Sequence, residues 1–323
     1  MNERFLEGKV AVVTGSGRGI GRAEAMRLAA YGARVVVNDL GVATDGSATD
    51  ETPADEVVGE ITQAGGEAIA DRNNIATPDG GNALIDKAVS TWGQLDIVVH
   101  NAGFGRPHMI FNMAPDEWDD VIAVHLRGAY CVDAPACRHW RAEAKAGRPV
   151  YGRIINTSTG LLMMGGAGQS NYSAAKSGVL AFTEALATEM APYDVTANII
   201  MPGALTRLAR VGWRTESRMM NDEAPFDRTS PVHVAELVCY LASPAAQWMS
   251  GQCFQVSGGR VEHVATFNVD KRYERHDRGW TALDHAVELP RLFGAGAHRS
   301  DPPPKAWSEQ YHARGTSATA PTS

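Results

Sequence analysis

Short apolar runs alternate with longer stretches of helical period along most of this chain. Lys9-Val10-Ala11-Val12-Val13-Thr14 is the first run, a cluster of glycines follows, and Arg22 to Tyr31 reads as a helix closed by Gly32. A second run, Ala33 to Asp39, ends in an acid. Ala54 to Ala64 reads as a helix, Glu67 to Ala70 as a short strand and Asp79 to Trp92 as another helix. Leu95-Asp96-Ile97-Val98-Val99-His100 is an apolar strand that runs into Asn101-Ala102-Gly103. Arg153 to Thr157 is a strand followed by Ser158, Thr159 and a glycine-rich loop. Asn171 to Lys176 opens a helix that Ser177 to Met190 continues, with Val179, Phe182, Leu186 and Met190 at helical spacing as core or subunit interface. Val195 to Met201 is the sixth strand, Val232 to Ala242 a helix and Gln252 to Ser257 the last strand. Strands alternating with helices predict an α/β chain with a parallel sheet and right-handed crossovers.

Three stretches break the pattern. Leu40 to Thr52 is small and polar, and reads as a long loop or a disordered segment. Residues 204–229 carry Trp213, Met219, Met220 and Phe226 without a clear period. Beyond Gly258-Gly259, which would close the core at residue 259, no second fold is visible. The division is a domain over 1–259, an arm over 260–312 that packs on its own or a neighbouring subunit, and a disordered tail over 313–323. The arm holds a charged patch, Asp270 to Arg275, and Leu283, Val287 and Leu292 near a break at Pro290. Its basic residues Lys271, Arg272, Arg275 and Arg278 are interleaved with acids and read as solvated surface rather than a site for CoA phosphates.

Composition narrows the function. The chain has 323 residues, 44% hydrophobic, enough for a substantial core. A net charge of -7 argues against a nucleic-acid partner. With no apolar run of eighteen residues and no signal-like amino terminus, the expectation is a soluble, cytoplasmic protein without a membrane partner. Cys131, Cys137, Cys239 and Cys253 form no CxxC pair and no zinc spacing, so they read as buried thiols of a reducing compartment, and no metal is expected.

Two stretches carry chemistry. Thr14-Gly15-Ser16-Gly17-Arg18-Gly19-Ile20-Gly21 joins a strand to a helix. Glycines there let backbone approach a pyrophosphate, and the helix amino terminus offers free N–H groups. Asp39, at the end of the next strand, suits both ribose hydroxyls of adenosine and repels a 2'-phosphate, which favours NAD over NADP, although Arg18 pulls the other way. In the second stretch Tyr172 and Lys176 are four residues apart and share a helix face. An ammonium beside a phenol lowers its pKa, so Tyr172 could exchange a proton with an alcohol or carbonyl. A hydroxyl from Ser158 or Thr159 could hold the substrate oxygen.

Thr14–Gly21, Asn101-Ala102-Gly103, Tyr172-xxx-Lys176 and Pro202-Gly203, in that order, resemble the short-chain dehydrogenase/reductase family over about residues 5 to 260. The resemblance implies one doubly wound Rossmann domain, here with a C-terminal extension, a nicotinamide cofactor, and hydride transfer between an alcohol and a carbonyl. It implies Tyr172 as acid/base and Lys176 as its partner, also binding the nicotinamide ribose. It places Asn74, Ile75, Asn101, Ala102 and Gly103 on the cofactor with the glycine turn and Asp39. Pro202 and Gly203 would lie under the nicotinamide and Thr206 would reach its carboxamide. A substrate lid is implied at 204–229, and a homodimer or homotetramer that pairs through the Tyr172 helix.

Two positions depart from the family. The serine thirteen residues before the tyrosine is Thr159 here, so Thr159 is the expected catalytic hydroxyl, with Ser158 one step away on the other side of the strand. In Val124-His125-Leu126-Arg127-Gly128, His125 stands where many relatives carry an asparagine that holds a water near the lysine. It either relays a proton or bonds backbone across its helix. This variant, with Phe111-Asn112-Met113, Trp118 and the loop after Asp39, is similar to the (3R)-hydroxyacyl-CoA dehydrogenase part of the peroxisomal multifunctional enzyme and to actinobacterial relatives acting on steroid side-chain thioesters. A 3-hydroxyacyl-CoA is therefore the expected substrate. Free steroids, terpenoids or other small carbonyls are the next reading, and a non-catalytic nucleotide-binding sensor or scaffold the last.

Overall fold

A computed structural model describes residues 4–43, 45–47, 52–163, 166–206, 226–267, 272, 274, 276 and 280–293. The chain divides into two compact units, Met1–Val264 and Ala265–Ser323. The first unit contains one sheet. Its strands are β1 (Val10–Thr14), β2 (Arg34–Asn38), β3 (Glu67–Asp71), β4 (Ile97–His100), β5 (Gly152–Thr157), β6 (Val195–Gly203), β7 (Cys253–Ser257) and β8 (Arg260–His263). They lie in the order β3-β2-β1-β4-β5-β6-β7-β8, parallel as far as β7.

The helices are α1 (Gly19–Ala30), α2 (Pro53–Gln63), α3 (Pro78–Trp92), α4 (Pro115–Ile122), α5 (Gly128–Lys145), α6 (Ser170–Met190) and α7 (Val232–Leu241). They cover both faces of the sheet, and the strands sort accordingly. Val13, Val35, Val99 and Ile155 face Leu28 of α1, Val57 and Ile61 of α2, and Val238 of α7. Val12, Val36, Val98 and Ile154 face Leu84 of α3, Trp140 of α5 and Leu186 of α6. Successive residues of one strand thus serve opposite layers, which is why these runs are apolar throughout rather than alternating. Chain order reverses between β1 and β4, and a crevice opens at the carboxyl ends of these two strands.

Two elements differ from the sequence reading. Ser257 is not the end of the sheet: Gly258, at φ +55°, and Gly259 turn the chain, and β8 pairs antiparallel with β7. All four β8 residues are exposed, so Arg-Val-Glu-His carries no apolar alternation to betray a strand, and the first unit closes at Val264 rather than at 259. The 18-residue α5, which keeps Pro135 in its interior, has no counterpart in the sequence reading.

In the second unit α8 spans Ala282–Phe293. It continues past Pro290, so the break expected there is absent, at the expense of one backbone bond near its carboxyl end. Leu283 and Val287 are exposed on it. Tail residues 313–323, Leu292's side chain, and Lys271, Arg275 and Arg278 of the basic cluster lie outside what is described. So do residues 207–225 of the expected lid, with Trp213, Met219 and Met220.

The four cysteines are free, and burial pushes the thiols of Cys137 and Cys253 up to about 12. No helix among the described residues is long and apolar enough to cross a membrane.

Candidate active site

The crevice begins where β1 meets α1. Gly15 sits at φ +62°, and a Cβ there would lie 2.6 Å from the Ala102 Cα, so only glycine lets the turn pass the exit of β4. At Gly17 a Cβ would lie 2.6 Å from Pro53 Cβ and 2.8 Å from an Asp39 oxygen. Asp39 ties the turn together: its Oδ2 accepts from the Gly17 N–H at 2.9 Å and its Oδ1 from the Gly41 N–H at 2.8 Å. The N-cap residue of α1, Arg18, makes no side-chain capping hydrogen bond to the helix end.

A cavity of about 520 Å³ lies over this turn. Of the expected cofactor residues it is lined by Gly15, Arg18, Gly19, Ile20, Asp39, Asn74, Ile75, Asn101, Ala102, Gly103 and Thr206. Gly17 and Gly21 stand behind the wall and shape it. Pro202 and Gly203 end β6, where a Cβ on Gly203 would crowd Ser257, 2.8 Å away. The polar loop after β2 folds over the far side: Leu40, Val42, Ala43 and Gly46 line the cavity, Gly46 packs on the Phe104 ring, and Arg106 Nε donates to the Asp45 carbonyl at 3.1 Å. A helix amino terminus at the cavity, a turn with room only for glycines and a carboxylate at the second strand's end fit a dinucleotide.

Beyond the crevice stand the hydroxyls. β5 ends at Thr157, and the hydroxyls of the two residues after it meet different groups of α6. Ser158 Oγ donates to the Lys176 carbonyl at 2.9 Å and is buried against α6. The Thr159 hydroxyl lies beside the Tyr172 phenol and favours its charged form. Asn171 fixes the start of α6: its side-chain amide donates to the carbonyls of Arg106 and Glu117, and its oxygen accepts from the Tyr172 N–H at 2.7 Å. Phe104, Val121 and Ala175 form an apolar wall next to the Tyr172 ring.

The electrostatics correct one expectation. Burial pushes Tyr172 up to about 12, and Thr159, not Lys176, is the neighbour that offsets this. The lysine Nζ lies 5.9 Å from the centre of the Tyr172 ring and donates to the Thr157 carbonyl at 2.7 Å. Burial also brings Lys176 down to about 7. Helical spacing puts the two side chains on one face, but the low-dielectric surroundings work against both charged forms.

His125 is buried in a widened, π-helical turn, Ala123–Arg127, which joins α4 to α5. Its Nε2 lies 2.8 Å from the Phe104 carbonyl, so Nε2 carries the proton and Nδ1 is bare. Nδ1 has no hydrogen-bond partner among the described residues. The ring meets Tyr172 edge-on at 5.1 Å between centroids, and Gly103 makes room for it, because a Cβ there would overlap the imidazole. Burial and the nearby Lys176 charge hold the His125 pKa well below the usual histidine range. The imidazole thus bonds backbone in the loop after β4 rather than across its own helix, and its other nitrogen stays bare.

Sequence reasoning missed the Thr157 carbonyl, Phe104 and His100. Only His100 left a signal, as a polar residue closing an otherwise apolar strand.

A family model described as enoyl-(acyl carrier protein) reductase matches residues 15–260. The hydroxyacyl-CoA dehydrogenase ChsB1 of Mycobacterium tuberculosis is 42% identical over 90% of this chain and 90% of its own length. The peroxisomal hydratase-dehydrogenase-epimerase of Neurospora crassa is 36% identical over 79% of this chain, which matches only 27% of that longer protein. A crystal structure of a short chain dehydrogenase from Mycobacterium avium superposes with a TM-score of 0.79 at 41% identity, covering 93% of this chain and 98% of that one.

Proposed function

We propose that this chain, which belongs to the short-chain dehydrogenase/reductase family, is an NAD-dependent dehydrogenase of a 3-hydroxyacyl-CoA, with a steroid side-chain thioester as one candidate. Membership makes it an oxidoreductase acting on CH–OH groups with a nicotinamide cofactor. The observation that carries the finer reading is the Thr159 hydroxyl set against the Tyr172 phenol, beside a crevice that fits a dinucleotide. The thioester comes from the names of the relatives, ChsB1 above all.

Bound NAD would supply the acceptor for the hydride. The chain supplies the rest. Asp39 faces the ribose side of the crevice, where its charge favours NAD over NADP. Thr159 holds the substrate oxygen. Tyr172 in its charged form takes the hydroxyl proton, and in its neutral form returns a proton to a carbonyl. Lys176, anchored by the Thr157 carbonyl, places an amine on that side of the site that carries positive charge only below about pH 7. The bare Nδ1 of His125 can accept a hydrogen bond beside the phenol but, with its pKa held far down by burial, stays unprotonated. In the same reading the protein is cytoplasmic and forms a homodimer or homotetramer through α6.

The test is turnover with NAD, followed by NADH absorbance, of a (3R)-3-hydroxyacyl-CoA, its 3S epimer, a free hydroxysteroid and a simple secondary alcohol. Turnover of the 3R thioester alone is expected. Turnover of the steroid or simple alcohol alone would remove the thioester and leave the mechanism standing.

A further inference from the structure

The end of β4 holds a second buried imidazole that the proposed reaction does not use. His100 has no exposed surface, and burial with the Lys176 charge pushes its pKa down to about 3. The ring is therefore neutral around pH 7. Its bonds also fix its tautomer. Nε2 lies 3.2 Å from the carbonyl oxygen of His125, which only accepts, so Nε2 carries the proton. Nδ1 is then bare and accepts from the Thr14 hydroxyl at 3.3 Å. The same Thr14 oxygen accepts from the N–H groups of Asn101 and Ala102, each at 3.1 Å. Asn101 closes the set, donating from its side chain to the carbonyls of Thr14 and Gly15.

One polar line thus runs from the glycine turn, across the exit of β4, into the widened turn. A π turn departs from the regular α ladder. His100 gives one of its carbonyls a donor from outside the helix. That carbonyl belongs to His125, whose imidazole points the other way, to Phe104 and Tyr172. An apolar side chain would fill the same space without a desolvation penalty, so the imidazole is explained by its two bonds and not by packing.

We propose that His100 is a positioning residue: it ties the widened turn to the cofactor turn and so holds the His125 imidazole edge-on against Tyr172. The inference rests on the reading of Tyr172 as acid/base, because that makes the placement matter to catalysis. His100 itself moves neither hydride nor proton.

Imidazole nitrogen NMR of the whole protein tests it without turnover. His100 should appear as the neutral Nε2–H tautomer with no titration between pH 5 and 9. His100→Leu should shift the His125 Nε2–H signal and speed its exchange with water by about tenfold or more. His100→Gln, which keeps an N–H donor, should return both toward wild type. With NAD and the 3R thioester, His100→Leu should lower kcat by roughly 10- to 100-fold, the scale of a small misplacement, and displace the midpoint of its pH profile. The KM for NAD should stay within about threefold, and His100→Gln should recover most of kcat. A His100 that titrates in this range, or a folded His100→Leu with an unchanged His125 signal, would overturn the proposal. So would a kcat that falls only as the folded fraction falls, equally in both variants. Tyr172→Phe run alongside separates the two readings: if it still turns over, the acid/base assignment fails while the His125 signal still reports on His100.

Discussion

Burial of Lys176 has a measurable thermodynamic signature. Its folded-state pKa is about 7, against 10.5 for an unburied lysine. Between those values the unfolded chain holds a proton that the folded chain does not, so stability must rise with pH across the window. At about 1.4 kcal/mol per tenfold change, the gain between pH 7 and 9.5 comes to about 3 kcal/mol. Thiols work against it: Cys137 and Cys253 rise from 9.0 to about 12 on folding, so the unfolded chain ionises first above pH 9 and stability falls there. Comparing wild type with Lys176→Met cancels the thiols, which both proteins share. The variant is also left with an unpaired Thr157 carbonyl, a roughly constant penalty of about 1–3 kcal/mol that does not depend on pH. Urea unfolding of both proteins, followed by circular dichroism at pH 7 and 9.5, gives the four free energies required. Wild type should gain on the variant by about 3 kcal/mol between the two pH values, a figure that internal water would reduce. A difference that stays constant across the window would refute the buried, depressed lysine and with it the environment drawn for Tyr172.

Other expectations follow from the same geometry. Tyr172→Phe should cut turnover by about 10²–10⁴-fold while leaving NAD affinity, read by calorimetry, within a few fold. Thr159→Val should lower kcat, whereas Ser158→Ala should lower stability with kcat retained, because the Ser158 hydroxyl is spent on the Lys176 carbonyl; steady-state kinetics and thermal unfolding separate the two. Alcohol oxidation should speed up and carbonyl reduction slow down as pH rises toward the Tyr172 value of about 12, since only the charged phenol accepts a proton. Asp39→Asn should raise the kcat/KM ratio of NADP to NAD by up to about a thousandfold, given about 4 kcal/mol between close charges at a protein surface. Gly81→Ala should cost about 3 kcal/mol in unfolding free energy, because its methyl group would overlap the Cys131 carbonyl where α3 crosses α5.

The sheet was legible because a strand covered on both faces carries an unbroken apolar run, as Val10–Val13 of β1, Val35–Val37 of β2 and Ile97–Val99 of β4 do. The glycine turn was legible because backbone crowding at Gly15 and Gly17 leaves no other residue type. Strand alternation distinguished Ser158 from Thr159, and in the structure the two hydroxyls meet different groups of α6, the Lys176 carbonyl and the Tyr172 phenol. Other features depend on tertiary surroundings that residue types do not carry. The sign of the shift at Tyr172 was misread because it depends on the wall of Phe104, Val121 and Ala175, which comes from three separate elements. The tie between His100 and the His125 carbonyl spans 25 residues and uses a main-chain acceptor, which leaves no trace in side-chain patterns. β8 escaped notice because it is an exposed edge strand.

The widened turn at Ala123–Arg127 makes the site sensitive to residue count as well as residue identity. The Gly128 N–H reaches back to the Ala123 carbonyl, so the turn takes up one residue more than an α turn over the same backbone bond. Removing any one residue between 123 and 127 would restore the regular ladder and rotate everything upstream by about 100°. Val121 would then leave the wall beside Tyr172, and the Glu117 carbonyl would leave the Asn171 amide, from which it accepts at 3.1 Å. No single substitution does this. A lineage with this geometry can change many side chains around the crevice, but it cannot shorten the chain here by one residue and keep the same site.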